Sequence, residues 1–342
     1  MAQKMKASLW MGPEKVRFTE IDRPTPAAGQ SLVKVAYGGI CGTDMMIYLG
    51  KHPRAKAPLV ASHEFSGTIV DANGGPYPAG TRVAINPLVS CGVCYACRTG
   101  IPHVCSTLKL VGIDSDGGFA EYAAVPWYTL CPVPDSVTLK QADVIEPLAV
   151  AVHAVRVSNL KVGDVTAILG AGPVGILTAQ VARLAGARRV FVAELSPKRL
   201  EIARDLGFDV IDVKSANTVQ TILDATDANG VPVVFETAGT QPTINDAVEV
   251  ARIGGQILQV GMPKTPPTVD ITKLLFKEVH MMPIRVYRAE EDFQQSIAIA
   301  ATGKIDLDLP ATHVLPLKDL DKGMELMHQA TEACKILIDP SA

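Results

Sequence analysis

Aromatic residues are scarce in this chain of 342 residues: Phe, Trp and Tyr together make up 5%, and only two are Trp. A surface that stacks nucleobases needs more of them. Charge of one sign is lacking too. Lys and Arg number 32 against 35 Asp and Glu, for a formal net charge of -3. That balance excludes a basic nucleic-acid footprint and an acidic tail for a basic partner. No apolar core follows the lysines of the first eight residues, MAQKMKAS, so the start does not read as a secretory signal. The apolar, uncharged stretch 165–182 carries Gly170, Gly172, Pro173 and Gly175 at its centre, where a membrane-spanning helix has to stay intact. A strand, a glycine turn and a buried helix account for it better. The expectation is a cytoplasmic protein with no membrane or nucleic-acid partner.

What is present is ordinary for a globular protein. Hydrophobic residues make up 48% and charged residues 20%, with 28 Gly and 24 Pro. These figures exclude a disordered chain, a coiled coil and a collagen. The length suits two domains. Of seven cysteines, Cys131 and Cys334 lie in apolar, strand-like contexts and read as small core residues. Four others, Cys91, Cys94, Cys97 and Cys105, crowd into one loop. A disulfide framework needs an oxidising compartment, which nothing in the sequence indicates, so the four read as metal ligands. Four thiolates close a tetrahedral zinc shell and leave no open position. An iron–sulfur cluster takes the same four and is the rival.

The first third reads as β-rich, with short runs at 31–37, 64–70, 82–85 and 119–125 punctuated by Gly, Pro and Asn, the pattern of an antiparallel sheet or partly open barrel. From residue 165 strands and helices alternate: strands at 165–169, 189–193, 210–213, 233–236 and 256–260, helices to 185 and at 196–206. That alternation implies parallel βαβ units in a doubly wound sheet. After 287 it stops, and helices at 291–301 and 320–329 with strands at 313–317 and 335–338 close the chain. This tail is too short for a core of its own and is expected to return to the N-terminal domain.

Gly170-Ala-Gly172-Pro173-Val174-Gly175 is a G-x-G-x-x-G run that follows an apolar strand and opens an apolar helix. Gly170 permits the tight turn, Gly172 lets backbone approach a pyrophosphate, and Gly175 lets the helix pack on its strand. The helix N-terminus supplies free N–H groups for the phosphates. Glu194 ends the next strand and is placed to accept bonds from the ribose hydroxyls and to repel a 2′-phosphate, which selects NAD over NADP. Arg199, nearby, either covers the adenine or tolerates a phosphate. Val260 and Gly261, at the end of a later strand, complete the expected cofactor-binding set.

Cys41 lies in G-G-I-C-G-T-D, His63 and Glu64 in A-S-H-E-F-S-G, and Glu146 in V-I-E-P-L-A-V. Singly each has a bland explanation; together they offer one thiolate, one imidazole and two carboxylates, a suitable set for a zinc with an exchangeable position. These motifs, with G-G-F-A-E-Y and the four-cysteine loop, occur in the order of the zinc-dependent medium-chain dehydrogenase/reductase family, which the chain resembles over essentially its whole length. E-P-L and H-E-F-S-G are similar to the polyol (sorbitol), 2,3-butanediol and threonine dehydrogenase branch.

The resemblance implies a GroES-like barrel as catalytic domain, 1–150 completed by 288–342, and a Rossmann NAD domain, 151–287. It maps Cys41, His63 and Glu64 onto a catalytic zinc, and Glu146 onto a position that either ligates that zinc or holds a water beside it. Thr43 maps onto the hydroxyl that contacts the substrate and passes on its proton; its bland alternative is a turn hydroxyl. Two zincs per chain, one catalytic and one structural, and a homodimer or homotetramer complete the expectation. The reaction implied is hydride transfer between NAD and a secondary alcohol: a polyol, vicinal diol or sugar-derived alcohol. Two departures stand out. Ser62 replaces a glycine common among relatives, a change expected to affect only the local turn. Met45, Met46, Ile47 and Tyr48 stand where relatives often carry a His, which argues against threonine as substrate. The alternatives are an anionic sugar acid or sugar phosphate drawn in by Lys51, His52, Arg54 and Lys56, a zinc-free reductase of the same superfamily, and a non-catalytic NAD-binding relative.

Overall fold

The computed structural model describes residues 3–329 and 331–342, which divide into two units: 1–146 with 288–303 and 311–342, and 147–287 with 304–310. The first is built on a seven-stranded sheet. Its long strand Gln30–Ile40 lies between Glu64–Asp71 and Ile336–Asp339, antiparallel to both. Register pairs Gly39 with Glu64 on one side and with Leu337 on the other. Tyr122–Pro126 also pairs with the long strand, and Arg82–Ile85 and Leu130–Pro132 extend the sheet beyond Glu64–Asp71. One core forms over it from Val33, Phe65, Ile69, Val83, Ile85 and Val125. Each such side chain contributes about 1.5–3 kcal/mol by leaving water. The antiparallel strands Lys4–Gly12 and Lys15–Asp22 form a separate small sheet that the sequence reading did not foresee.

In the second unit six parallel strands run in the spatial order Asp209–Asp212, Arg189–Glu194, Val165–Leu169, Val231–Glu236, Ala251–Gln259, His280–Pro283. Numbered along the chain that is 3-2-1-4-5-6, the doubly wound dinucleotide-binding order. Its inner strands are near-continuous apolar runs, as a sheet buried on both faces requires. The anticipated alternation is therefore present.

The tail departs from expectation in one place. Residues 304–310 belong with the second unit, not with the first. Gln180 is the physical reason: its Nε2 donates to Asp306 O at 2.9 Å and its Oε1 accepts from Asp306 N at 2.8 Å, while Ile305 and Leu307 are buried. The first boundary falls at 146/147, four residues before the expected one. Among the described residues no helix is long and apolar enough to cross a membrane.

Candidate active site

Cys41 stands immediately before the helix Gly42–Tyr48, and Asp44 in that helix's first turn organises the surroundings. Asp44 Oδ2 accepts from Cys41 N at 2.8 Å and Oδ1 from Ser62 N at 3.2 Å, with His63 Nδ1 at 3.9 Å. One buried carboxylate thus ties the cysteine loop to the histidine loop. Ser62 adopts φ +75°, a conformation that favours glycine. Its hydroxyl compensates by bonding Gly39 O at 3.2 Å and Glu64 O at 2.8 Å. The departure at Ser62 is local, as expected, and self-repaired.

The ligating atoms of Cys41, His63 and Glu64 lie within 4.8 Å of one another. His63 and Glu64 are buried, and His63 Nδ1 has no hydrogen-bond partner. Desolvation pushes the Cys41 thiol up to about 11, with Lys335 opposing and Asp44 and Glu146 adding to the rise. A buried imidazole nitrogen without a hydrogen-bond partner beside a disfavoured thiolate suits a cation, since a coordinated thiol is deprotonated outright. The donor set fits zinc. Glu146 is buried and its charge is felt at Cys41, but its carboxylate stands outside the 4.8 Å group. Thr43 Oγ1 is 4.0 Å from Cys41 Sγ.

Behind these residues lies a cluster the sequence reading missed. The buried Lys335 ammonium pairs with Glu64 Oε2 and donates to Ile40 O at 3.2 Å. A Cβ on Gly39 would stand 2.6 Å from Lys335 Nζ and 2.8 Å from both Asp143 Oδ2 and Glu64 Oε2. Only glycine leaves room for those three groups. Burial, then Glu146, raises Asp143 well above the usual carboxylate range, and burial lowers Lys335 to about 8. The signal was available: Lys335 is a charged residue inside the apolar strand-like run ACKILID.

The four clustered cysteines are confirmed as a group. Sulfur separations are 3.5 Å for Cys94–Cys97, 3.5 Å for Cys91–Cys105 and 3.9 Å for Cys91–Cys97. A tetrahedron with Zn–S near 2.3 Å has edges of about 3.8 Å, so one ion spans them. Cys131 and Cys334 are buried core thiols, as expected.

In the second unit a pocket of about 610 Å³ opens over the glycine turn, lined among others by Gly170, Gly172, Glu194, Arg199, Thr237 and Thr240. Gly170 has φ +106°, and a side chain at Gly175 would collide with Gly170 O and Thr237 Oγ1. Gly172 caps the helix Pro173–Leu184 and has open space beside it, the room a pyrophosphate needs. Pro173, Val174 and Gly175 form that helix's first turn. The Glu194 carboxylate accepts from Ala171 N at 2.7 Å, Leu195 N at 2.7 Å and Ser196 N at 3.0 Å, with Arg199 Nη1 at 4.0 Å. It therefore holds the glycine loop in addition to facing the pocket. Val260 and Gly261 do not line the pocket; their N–H groups donate to Glu236 O at 2.8 and 2.9 Å.

In the basic segment, Arg54 donates to Leu108 O at 2.8 Å and pairs with Asp114 at 3.1 Å. His52 Nδ1 accepts from Arg54 N at 3.3 Å and Ala55 N at 3.2 Å.

Residues 27–135 match the alcohol dehydrogenase GroES-like domain and 173–302 the zinc-binding dehydrogenase family. The chain is 37% identical over 346 aligned residues to 2-dehydro-3-deoxy-L-galactonate 5-dehydrogenase from Pseudoalteromonas atlantica, covering 99% of each. Among solved structures, it superposes with TM-score 0.92 on a protein of Sinorhizobium meliloti 1021 described as a zinc-binding dehydrogenase and bound to NADP, at 29% identity, covering 99% of this chain and 100% of the other. An alcohol dehydrogenase from Escherichia coli CFT073 complexed with NADH gives 0.90 at 30% identity, with coverage of 99% and 100%. With a GroES-like domain, a parallel dinucleotide sheet and two metal-competent clusters in one chain, the protein belongs to the zinc-dependent medium-chain dehydrogenase/reductase family and is an NAD-dependent oxidoreductase of alcohols.

Proposed function

We propose that Cys41, His63 and Glu64 hold the catalytic zinc, with Glu146 near it, and that the protein oxidises a secondary alcohol on a polyhydroxylated skeleton: a polyol, vicinal diol or sugar-derived alcohol. The convergence of three zinc-type donors within 4.8 Å carries the reading. Zinc in such a site supplies Lewis acidity that makes an alcohol proton easier to remove. The chain's residues do the rest. Asp44 fixes the cysteine and histidine loops, and Lys335 fixes Glu64. Thr43, whose Oγ1 lies 4.0 Å from Cys41 Sγ, would accept a hydrogen bond from the substrate hydroxyl and relay its proton by releasing its own hydroxyl proton toward solvent. Gly170, Gly172, Pro173, Val174 and Gly175 shape the phosphate cradle, Glu194 takes the ribose, Arg199 borders the adenine end, and Val260 and Gly261 build the adjoining loop. In this reading the first unit is the catalytic domain, the second binds NAD, and Cys91, Cys94, Cys97 and Cys105 hold a structural zinc.

A second reading, an anionic sugar acid as substrate, is favoured by the name of the relative at 37% identity. Lys51, Arg54 and Lys56 are all exposed in that segment, and Arg54 is already engaged with Asp114 and Leu108, so Lys51 and Lys56 are the cations better placed to draw an acid. Thiol-rich metal sites suit a reducing compartment, which supports a cytoplasmic location. A homo-oligomer is supported by the second unit's surface, where Ile271, Leu275, Phe276 and Met282 are exposed on and beside the edge strand His280–Pro283.

The test is zinc counting with a substrate panel. Wild type is expected to carry two zincs per chain and reduce NAD with polyols, diols or sugar acids. Cys41→Ser is expected to carry one and to lose at least about a thousandfold in kcat/KM while keeping its fold, because the four-cysteine site is untouched. Full activity in a Cys41→Ser protein with one zinc would overturn the assignment. Raising the ionic strength separates the two substrate readings, since only an acid loses kcat/KM through screening.

A further inference from the structure

The buried carboxylate of Glu236 lies at the pocket end of the second unit's sheet, and neither the motifs nor the proposed reaction gives it a task. It ends the strand Val231–Glu236 and is 0% exposed. Its Oε1 accepts from Ala238 N at 3.0 Å, Gly239 N at 2.8 Å and Thr243 Oγ1 at 2.7 Å; its Oε2 accepts from Gln259 Nε2. Its own carbonyl receives Val260 N and Gly261 N. Burial raises its pKa, and Thr243, Gly239, Gln259 and Ala238 pull it back, so the donors are matched to a charged carboxylate.

Those donors belong to three pieces of chain: the loop 237–240, the helix Gln241–Val250, and the end of the strand Ala251–Gln259 with the loop beyond it. The first loop carries Thr237, whose hydroxyl bonds Gly170 O at 2.8 Å and Leu169 O at 3.1 Å and so clasps the glycine turn. Thr237, Ala238, Thr240 and Thr243 line the pocket. We infer that Glu236 is a positioning residue for the dinucleotide: it touches no ligand, but by gathering the donors of two neighbouring loops it holds Thr237, and through it the phosphate-binding turn, in the geometry NAD requires. Sites of this kind gain affinity from such a supporting shell, because the loop's ordering cost is met before the ligand arrives. The inference rests on reading this pocket as the NAD site.

The experiment is an NADH fluorescence titration of the purified zinc-loaded chain, with zinc content and melting temperature measured alongside. Glu236→Gln turns one oxygen into a donor that faces other donors, and NADH Kd is expected to rise by about tenfold or more at unchanged zinc content. Glu236→Gln combined with Gln259→Glu restores an acceptor opposite the new donor but gives up the Gln259 Nε2 bond to Gly261 O, so it is expected to recover part of the affinity. Thr237→Val, which keeps the shape and removes only the clasp, is expected to weaken NADH several-fold and keeps the test open if Glu236→Gln does not fold. NADH binding within twofold of wild type in Glu236→Gln, or in Thr237→Val where that alone folds, overturns the inference. So does a double variant no better than the single one at equal melting temperature, since a merely structural residue would move stability without that pattern. A wild type that binds no NADH would overturn the pocket assignment itself, a result distinct from either.

Discussion

Ser62 shows how a single position sets the terms for the candidate metal site. It holds a left-handed backbone at φ +75° and meets its cost with two side-chain bonds, which leaves His63 and Glu64 aimed inward. Lys335 plays the complementary electrostatic part. Replacing it by Met removes the ammonium that pairs with the buried Glu64 carboxylate, and the expected loss is about 3–5 kcal/mol of unfolding free energy, read by urea denaturation. Glu194 carries two tasks that one substitution separates. Glu194→Ala is expected to narrow the NAD-over-NADP ratio of kcat/KM and also to lower stability by about 1–3 kcal/mol, because three backbone N–H groups lose their acceptor. The glycines were legible from their place between an apolar strand and an apolar helix, whereas Cys41, His63 and Glu64 were joined only by the family resemblance and not by their spacing. Asp44, Asp143 and Glu236 were not legible, and Lys335 gave only the hint of a charge inside an apolar run. Their partners come largely from distant chain segments.

The strand–turn–helix from Val165 to Leu184 was readable almost to the residue, since a parallel strand covered on both faces and the helix after it are both apolar and the glycines mark the turn between them. Its tightest point is Gly175. Gly175→Ala would drive a methyl into Gly170 O and Thr237 Oγ1 and lift the helix from its strand. The expected result is about 1–3 kcal/mol lower stability together with weaker NADH binding, seen by thermal melting and fluorescence titration of the same preparation. The strand Lys15–Asp22 escaped the reading for the opposite reason, whereas Lys4–Gly12, with Met5, Ala7 and Trp10 buried, carried a signal that was missed. Lys15–Asp22 has no buried residue, so it offers no periodic apolar signal. The helix expected at 291–301 begins with one wide turn at Ala289–Phe293 before the regular helix Gln294–Ala301, a detail no periodicity encodes.

At the scale of the whole chain, the second unit ends its sheet on His280–Pro283, a strand with an unpaired edge and Phe276 exposed nearby. If that face joins two copies, Phe276→Glu lowers the mass measured by light scattering to that of the monomer, with little change in stability, because the residue is exposed within one chain. The division into two units was legible from the change in pattern at residue 165. The return of 304–310 to the second unit was not, since it depends on the Gln180 clamp. The backbone passes between the units four times, and the first unit's long strand Gln30–Ile40 receives a neighbour, Ile336–Asp339, from the other end of the chain; Lys335 meets Ile40 across 295 residues. During synthesis at about 5–20 residues per second, that edge waits roughly 15–60 s for its partner. Residues 147–287 emerge and can fold in the interval. Glu64 meets Lys335 only when that late strand has emerged, so the candidate metal site beside it is completed after the second unit's sheet has appeared.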